Sequence, residues 1–126
     1  MSVRVVRLGT PRVPGEGLRI GTGRRPPRGV SRRRLGGWYD VWFPLLAPSA
    51  ELVRFARSAT SERAWAAFRR RYRSEMRSPD ASRALDLLAA LSRRTDLSVG
   101  CYCEDEARCH RSILRALLVE RGAEVR

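Results

Sequence analysis

Leu97-Ser98-Val99-Gly100-Cys101-Tyr102-Cys103, followed by Glu104-Asp105-Glu106 and then Ala107-Arg108-Cys109-His110-Arg111, decides how this chain folds. The first seven residues are strand formers and small side chains, and they predict a strand. Glu104, Asp105 and Glu106 predict a polar turn. From residue 107 to residue 120, Ile113, Leu114, Leu117 and Leu118 fall on one face at helical spacing, and Arg121-Gly122 supplies the stop. Ala123-Glu124-Val125 reads as a short terminal strand. A strand leading through a turn into a helix is the repeating unit of layered α/β domains.

The preceding residues extend the same pattern. Val3-Arg4-Val5-Val6-Arg7-Leu8 is β-branched and reads as a first strand, ended by Gly9-Thr10-Pro11. Between residues 15 and 37 there are seven glycines, seven arginines and the pair Pro26-Pro27, a composition that predicts a loop rather than a regular helix, with a brief extended piece at Leu18 to Ile20. Trp38 to Phe43 reads as a strand stopped by Pro44. Three helices are expected next. Ser49 caps the first, Thr60 or Ser61 the second, and Ser78-Pro79 opens the third. Trp65, Phe68, Tyr72 and Met76 form one core stripe, and Ala81, Ala84, Leu85, Leu88 and Leu91 another. The expectation is a single α/β domain over residues 1–126: a small mixed or parallel sheet with packed helices, and the Gly/Arg-rich segment 15–37 as a loop within it.

Of the 126 residues, 26 are basic and 13 acidic, giving a formal charge of +13, and every basic residue is arginine. Such a surplus suits a polyanion partner, but an arginine excess with no Lys, Asn or Gln is also what a GC-rich coding bias produces. The longest uncharged stretch, Val41 to Ala50, contains two prolines and falls short of the roughly 20 apolar residues a spanning helix needs. No apolar run follows Arg4 and Arg7, so a secretory signal is not expected either. A cytoplasmic location is therefore expected, with reduced thiols rather than disulfides and no membrane partner.

All three cysteines and the only histidine fall within ten residues: Cys101, Cys103, Cys109 and His110. Open α/β sheets bind ligands beyond the carboxyl ends of their strands, and helix N-termini present free N–H groups to anions. Three chemistries compete. Cys109, with His110 and Arg111, is a candidate catalytic thiolate, favoured by a helix start, Arg108 and Arg111 and opposed by Glu104 to Glu106; the expected balance is a lowered pKa and a sulfur partly open to a pocket. Cys101, Cys103, Cys109 and His110 are four candidate zinc ligands, although C-x-C-x5-C-H matches no common ribbon spacing. A C-x5-R anion loop fails on residue count. Cys101 and Cys103, two apart on a strand, should face the same side, and the alternative for both is simple packing. Arg24, Arg25 and Arg28 are expected to wall the site and, with Cys101 and Asp40, to contact the ligand. Asp40, inside an apolar strand, is expected to be either paired with arginine or functional.

Three segments resemble the bacterial and archaeal family catalogued as domain of unknown function 488. They are Gly17-Leu18-Arg19-Ile20-Gly21-Thr22 running into Arg25-Pro26-Pro27-Arg28-Gly29; Tyr39-Asp40-Val41-Trp42-Phe43-Pro44 with Leu46-Ala47-Pro48-Ser49; and Val99-Gly100-Cys101-Tyr102-Cys103-Glu104-Asp105 leading to Cys109-His110-Arg111-Ser112. The helix between, with Arg71-Tyr72-Arg73 and Glu75-Met76, is similar too. The resemblance implies an α/β domain and no particular activity. The functional expectation is binding of an anionic ligand, a nucleotide or nucleic-acid phosphate, at the strand-to-helix turn, with Cys/His chemistry open. The alternatives are a non-catalytic nucleic-acid-binding module and a structural zinc site. No obligatory cofactor is expected.

Overall fold

A computed structural model describes residues 1–103 and 108–126, apart from the side chain of Arg32. The expected turn at Glu104 to Glu106, and Ala107, lie outside the described residues. Four strands form one sheet: β1 Val3–Arg7, β2 Leu18–Gly21, β3 Val41–Trp42 and β4 Leu97–Cys101, in the spatial order β1-β4-β2-β3. Every pairing is parallel, so of the mixed or parallel sheet expected, the parallel form is the one found. β4 pairs with β1 through Val3↔Leu97 and with β2 through Leu18↔Leu97. Its five residues are all buried, as a central strand of a covered parallel sheet requires.

Five helices accompany the sheet: α1 Arg32–Leu35, α2 Ala50–Arg57, α3 Glu62–Glu75, α4 Pro79–Ser92 and α5 His110–Glu120. A 3-10 turn, Pro44–Leu46, links β3 to α2. The hydroxyls of Ser49, Ser61 and Ser78 accept from the amides of Leu52, Ala64 and Ala81, and each cap is worth about 1 kcal/mol. The aromatic stripe of α3 is buried, with Trp65 stacked on Phe68 at 4.8 Å between centroids. It shares one core with Leu85 and Leu88 of α4, Leu114 and Leu118 of α5, and Val3, Ile20, Leu97 and Val99 of the sheet.

Local detail departs from the sequence reading in several places. The Gly/Arg-rich segment contains α1, one helical turn, because its glycines lie outside Arg32–Leu35 rather than within it. The strand expected over 38–43 shrinks to Val41–Trp42, since the amides of Trp38 and Tyr39 turn back to the Leu35 carbonyl. β4 stops at Cys101, two residues early. α5 begins at His110 rather than Ala107, with Cys109 as its N-cap in extended conformation. The terminal strand reduces to one parallel bridge, Val3↔Val125.

Two glycines let the layers close on the site. A side chain at Gly21 would meet the Trp42 ring at 2.3 Å, and one at Gly100 would meet the Val6 carbonyl at 2.6 Å. Both distances are shorter than any real Cβ contact, so β4 and β2 can approach their neighbours only because these positions carry no Cβ.

Candidate thiol cluster at the carboxyl edge of the sheet

Because all strands are parallel, β2 and β4 deliver their C-termini to the same edge. Cys101 ends β4, and Thr22 follows β2 directly, its amide and hydroxyl both bonded to the Gly100 carbonyl. The N-terminus of α5 faces that edge. Cys109 has φ −125° and ψ 152°, so it is not yet helical, and its side chain leaves the backbone differently from that of His110.

The three sulfurs converge to within 4.8 Å of one another. Cys101 Sγ lies 3.6 Å from Cys103 Sγ, and Cys109 Sγ lies 3.6 Å from His110 Nδ1. Cys101 and Cys109 are buried, whereas Cys103 is exposed. Cys101 and Cys103 thus bring their sulfurs together as strand alternation predicts, but Cys103 stands beyond the strand end and faces solvent rather than core.

His110 is held from both sides. Its Nε2 is 3.0 Å from the Thr22 carbonyl oxygen and 3.4 Å from the Thr22 hydroxyl. A carbonyl only accepts, so Nε2 carries a proton and Nδ1 is the atom turned to the Cys109 sulfur. The Tyr72 ring meets the imidazole edge-on at 5.5 Å. The Tyr72 hydroxyl donates to the Leu46 carbonyl at 2.7 Å, and burial holds it protonated well above the usual phenol range.

The three thiols are pulled apart in acidity, and Cys109 is the one whose charged form is favoured. Hydrogen bonds from Cys101 and Cys103 hold its pKa far below the ordinary thiol value, against burial and with help from His110. Cys101 is driven the other way, by its bonds to Cys103 and Cys109 and by burial. At Cys103 the bond from Cys101 works downward but is outweighed by donation to Cys109 and burial, which push it up to about 11. The direction at Cys109 is the expected one, but its cause is different. Arg108 pairs with Glu62 and lies over the Trp65 ring, 5.8 Å from its centroid. The sulfur is also buried rather than open to a pocket.

Arg111 is 2% exposed. Its Nη2 donates to the Cys103 carbonyl at 2.7 Å, while its buried Nε has no partner among the described residues. The first turn of α5 has no side-chain cap. Of the other expected ligand contacts, Tyr102 Oη reaches the Arg25 carbonyl at 3.1 Å, which ties the Gly/Arg segment to the end of β4. A Cβ placed on Gly23 would lie 3.7 Å from Cys101 Sγ, so that backbone walls the cluster. Arg25 and Arg28 are exposed. Arg24 is turned elsewhere, donating to the Pro48 and Ala47 carbonyls. Asp40 takes the paired role: it accepts both Nη groups of Arg12 at 2.8 and 3.1 Å and the Arg19 amide at 2.8 Å, and the Arg12 bond holds its carboxyl below the usual range. Two surface clefts of about 310 and 300 Å³, one beside Ser49 and Glu75 and one beside Arg73 and Glu120, include none of the thiols.

Sequence reasoning missed Thr22 and Tyr72. Thr22 acts on His110 through its backbone carbonyl, which no residue type advertises. Tyr72 sits in a stripe that reads as core.

A parallel α/β sheet whose central strand ends in a thiol cluster, faced by a helix N-terminus, is an α/β domain with its candidate site at the strand carboxyl ends. The chain belongs to the domain of unknown function 488 (DUF488) family: the family model described as "Active DUF488-N3 subclade" matches residues 3–122. Comparisons with curated proteins and with solved structures gave no significant match.

Proposed function

We propose that the chain is a cysteine-dependent enzyme acting on a small anionic, phosphate-like ligand at this edge, with Cys109 as nucleophile, His110 as its base and Arg111 as the anion contact. The observation that carries this reading is His110 itself, fixed by Thr22 on one nitrogen and turned to the Cys109 sulfur with the other. A nucleophile, a base within reach and a third group orienting the base are the parts nucleophilic catalysis requires. The unpartnered Nε of Arg111 and the uncapped first turn of α5 supply donors for an anion. The description of the matching subclade as active agrees with it. Arg25 and Arg28 extend the positive surface toward a larger ligand such as a nucleotide or oligonucleotide.

The test is alkylation of the intact reduced protein by iodoacetamide, with each cysteine followed by peptide mapping. Cys109 should react with a half-maximal rate well below pH 8.5, and His110→Ala should slow it. Inorganic phosphate, a mononucleotide and an oligonucleotide, tried separately, should protect it in the wild type and not in Arg111→Met. Cys109 reacting no faster than an ordinary thiol ends the nucleophile role. Equal labelling with and without all three anions ends the ligand assignment.

A second reading rests on the convergence of three sulfurs within 4.8 Å. Cys101, Cys103 and Cys109 could hold a thiophilic cation such as zinc, while His110, the fourth ligand expected from the sequence, is not part of that group. Metal content of protein purified without chelator discriminates. One equivalent of zinc, lost together with the fold on chelation, favours the structural site.

A further inference from the structure

A cysteine hydrolase needs one sulfur and a water, yet two further thiols stand within 4.8 Å of the Cys109 sulfur. Any adduct on Cys109 that carries a leaving group is therefore formed beside a second sulfur at very high effective concentration. We propose, resting on the reading of Cys109 as nucleophile, that the cluster is a dithiol redox centre that reduces a small hydroperoxide, with Cys103 as the resolving thiol.

The two candidates for that role differ in freedom. Cys101 is buried at the end of the central strand, in register with Arg7 of β1, with Gly23 close to its sulfur. A bond between Cys101 and Cys103 would also close a ring across only one intervening residue. Cys103 lies past the end of β4, is exposed, and can turn toward Cys109 without disturbing the sheet. An exposed partner also leaves the resulting disulfide open to an external thiol for reduction.

The chemistry balances with groups present. His110 Nδ1 takes the Cys109 proton. The thiolate attacks the outer oxygen of R–O–OH; the S–O bond forms, the O–O bond breaks, and the departing RO⁻ takes a proton from His110 to leave as ROH. Cys109 is oxidised by two electrons to the sulfenic acid and the hydroperoxide is reduced. The Cys103 sulfur then attacks Cys109 S–OH; the S–S bond forms, the S–O bond breaks, and hydroxide leaves with the Cys103 proton as water. Arg111, whose Nη2 donates to the Cys103 carbonyl and whose buried Nε has no partner among the described residues, is the cation available to stabilise charge developing on the leaving oxygen. Burial of Cys109 restricts the electrophile to a small one.

The experiment treats the full reduced chain with one equivalent of hydrogen peroxide, then splits it between dimedone, which traps sulfenic acid, and alkylation with disulfide mapping. The wild type should lose two thiols per peroxide and yield a Cys103–Cys109 disulfide with little dimedone adduct. Cys103→Ser should lose one thiol and raise dimedone labelling of Cys109 by about tenfold or more, since the neighbouring thiol no longer competes. Cys101→Ser should still form the disulfide, which separates lost resolution from lost folding. Equal dimedone labelling in the wild type and Cys103→Ser, or a disulfide involving Cys101, overturns the resolving role and leaves the nucleophile reading standing. Cys109 inert to peroxide but alkylated as a thiolate overturns the redox centre alone; Cys109 inert to both reagents overturns both proposals.

Discussion

Two arginines are buried among the described residues, and the chain treats them differently. Arg19, 0% exposed, is fully engaged: Nε and Nη2 reach the two oxygens of Glu16 at 2.7 Å each, and Nη1 reaches the Thr10 carbonyl at 2.9 Å. Arg111, 2% exposed, has one carbonyl for Nη2 and nothing for Nε, and no carboxylate among the described residues forms an ion pair with it. A buried charge is stable only when paired and hydrogen-bonded. The first guanidinium meets that requirement within the fold. The second sits beside the thiol cluster, bonded to the Cys103 carbonyl, and its Nε meets no partner among the described residues. One is a structural bolt for β2, while the other is the group proposed above as the anion contact.

The largest expected effect comes from removing the partner of the first. Glu16→Gln strands a buried cation and should cost about 3–5 kcal/mol in urea unfolding, and Glu16→Met combined with Arg19→Met should cost less than Glu16→Met alone. The same pair sets an acid limit. The Arg19 bonds hold the Glu16 carboxyl below its usual value, so this stability is fully present above the unfolded carboxyl value of about 4.3 and is lost as pH falls through the lower folded value. Unfolding followed from pH 5 downward should show that loss in the wild type and not in Glu16→Gln. A flat wild-type profile would place the pair's worth elsewhere.

Arg111→Met should behave in the opposite way. With one hydrogen bond lost and an apolar chain of similar length in its place, stability should change by about 1 kcal/mol or less, while protection of Cys109 by phosphate disappears. A loss as large as that of Glu16→Gln would make Arg111 a second structural bolt. The smallest effect is expected where the charge is merely half-buried. Arg12, about a third exposed like its partner Asp40, should cost about 0.2–1 kcal/mol as Arg12→Ala, and high salt should shrink that difference.

What could be read from the sequence was what is local. The helix starts at Ser49, Ser61 and Ser78 and the stripe from Trp65 to Met76 are written in residue type and spacing, and the structure has them. The clustering of Cys101, Cys103, Cys109 and His110 was visible because ten residues carry it. The Glu16–Arg19 pair was not visible: in a stretch rich in glycine and arginine it looks like one more solvated charge pair, and only the closing of residues 9–17 over β2 buries it. α1 was hidden by averaging over that stretch, since two flanking glycines lowered the helical signal of four residues that contain none. The Thr22 contact to His110 belongs to a backbone oxygen and depends on strand order, which no local pattern specifies.

That strand order bears on when the protein can exist at all. Apart from the single bridge to Val125, β1 finds its sheet partner in β4, 94 residues further along at Val3↔Leu97, and β4 is the last strand among the described residues. On a ribosome the first strand must wait unpaired until the fourth emerges. Closing so long a loop is slow, because its entropy is spent before the contacts that reward it form. The strand that completes the sheet also ends in Cys101, and the helix that brings Cys109, His110 and Arg111 follows it. Partly made chains therefore hold no assembled thiol cluster, and the three sulfurs meet only once the sheet is complete.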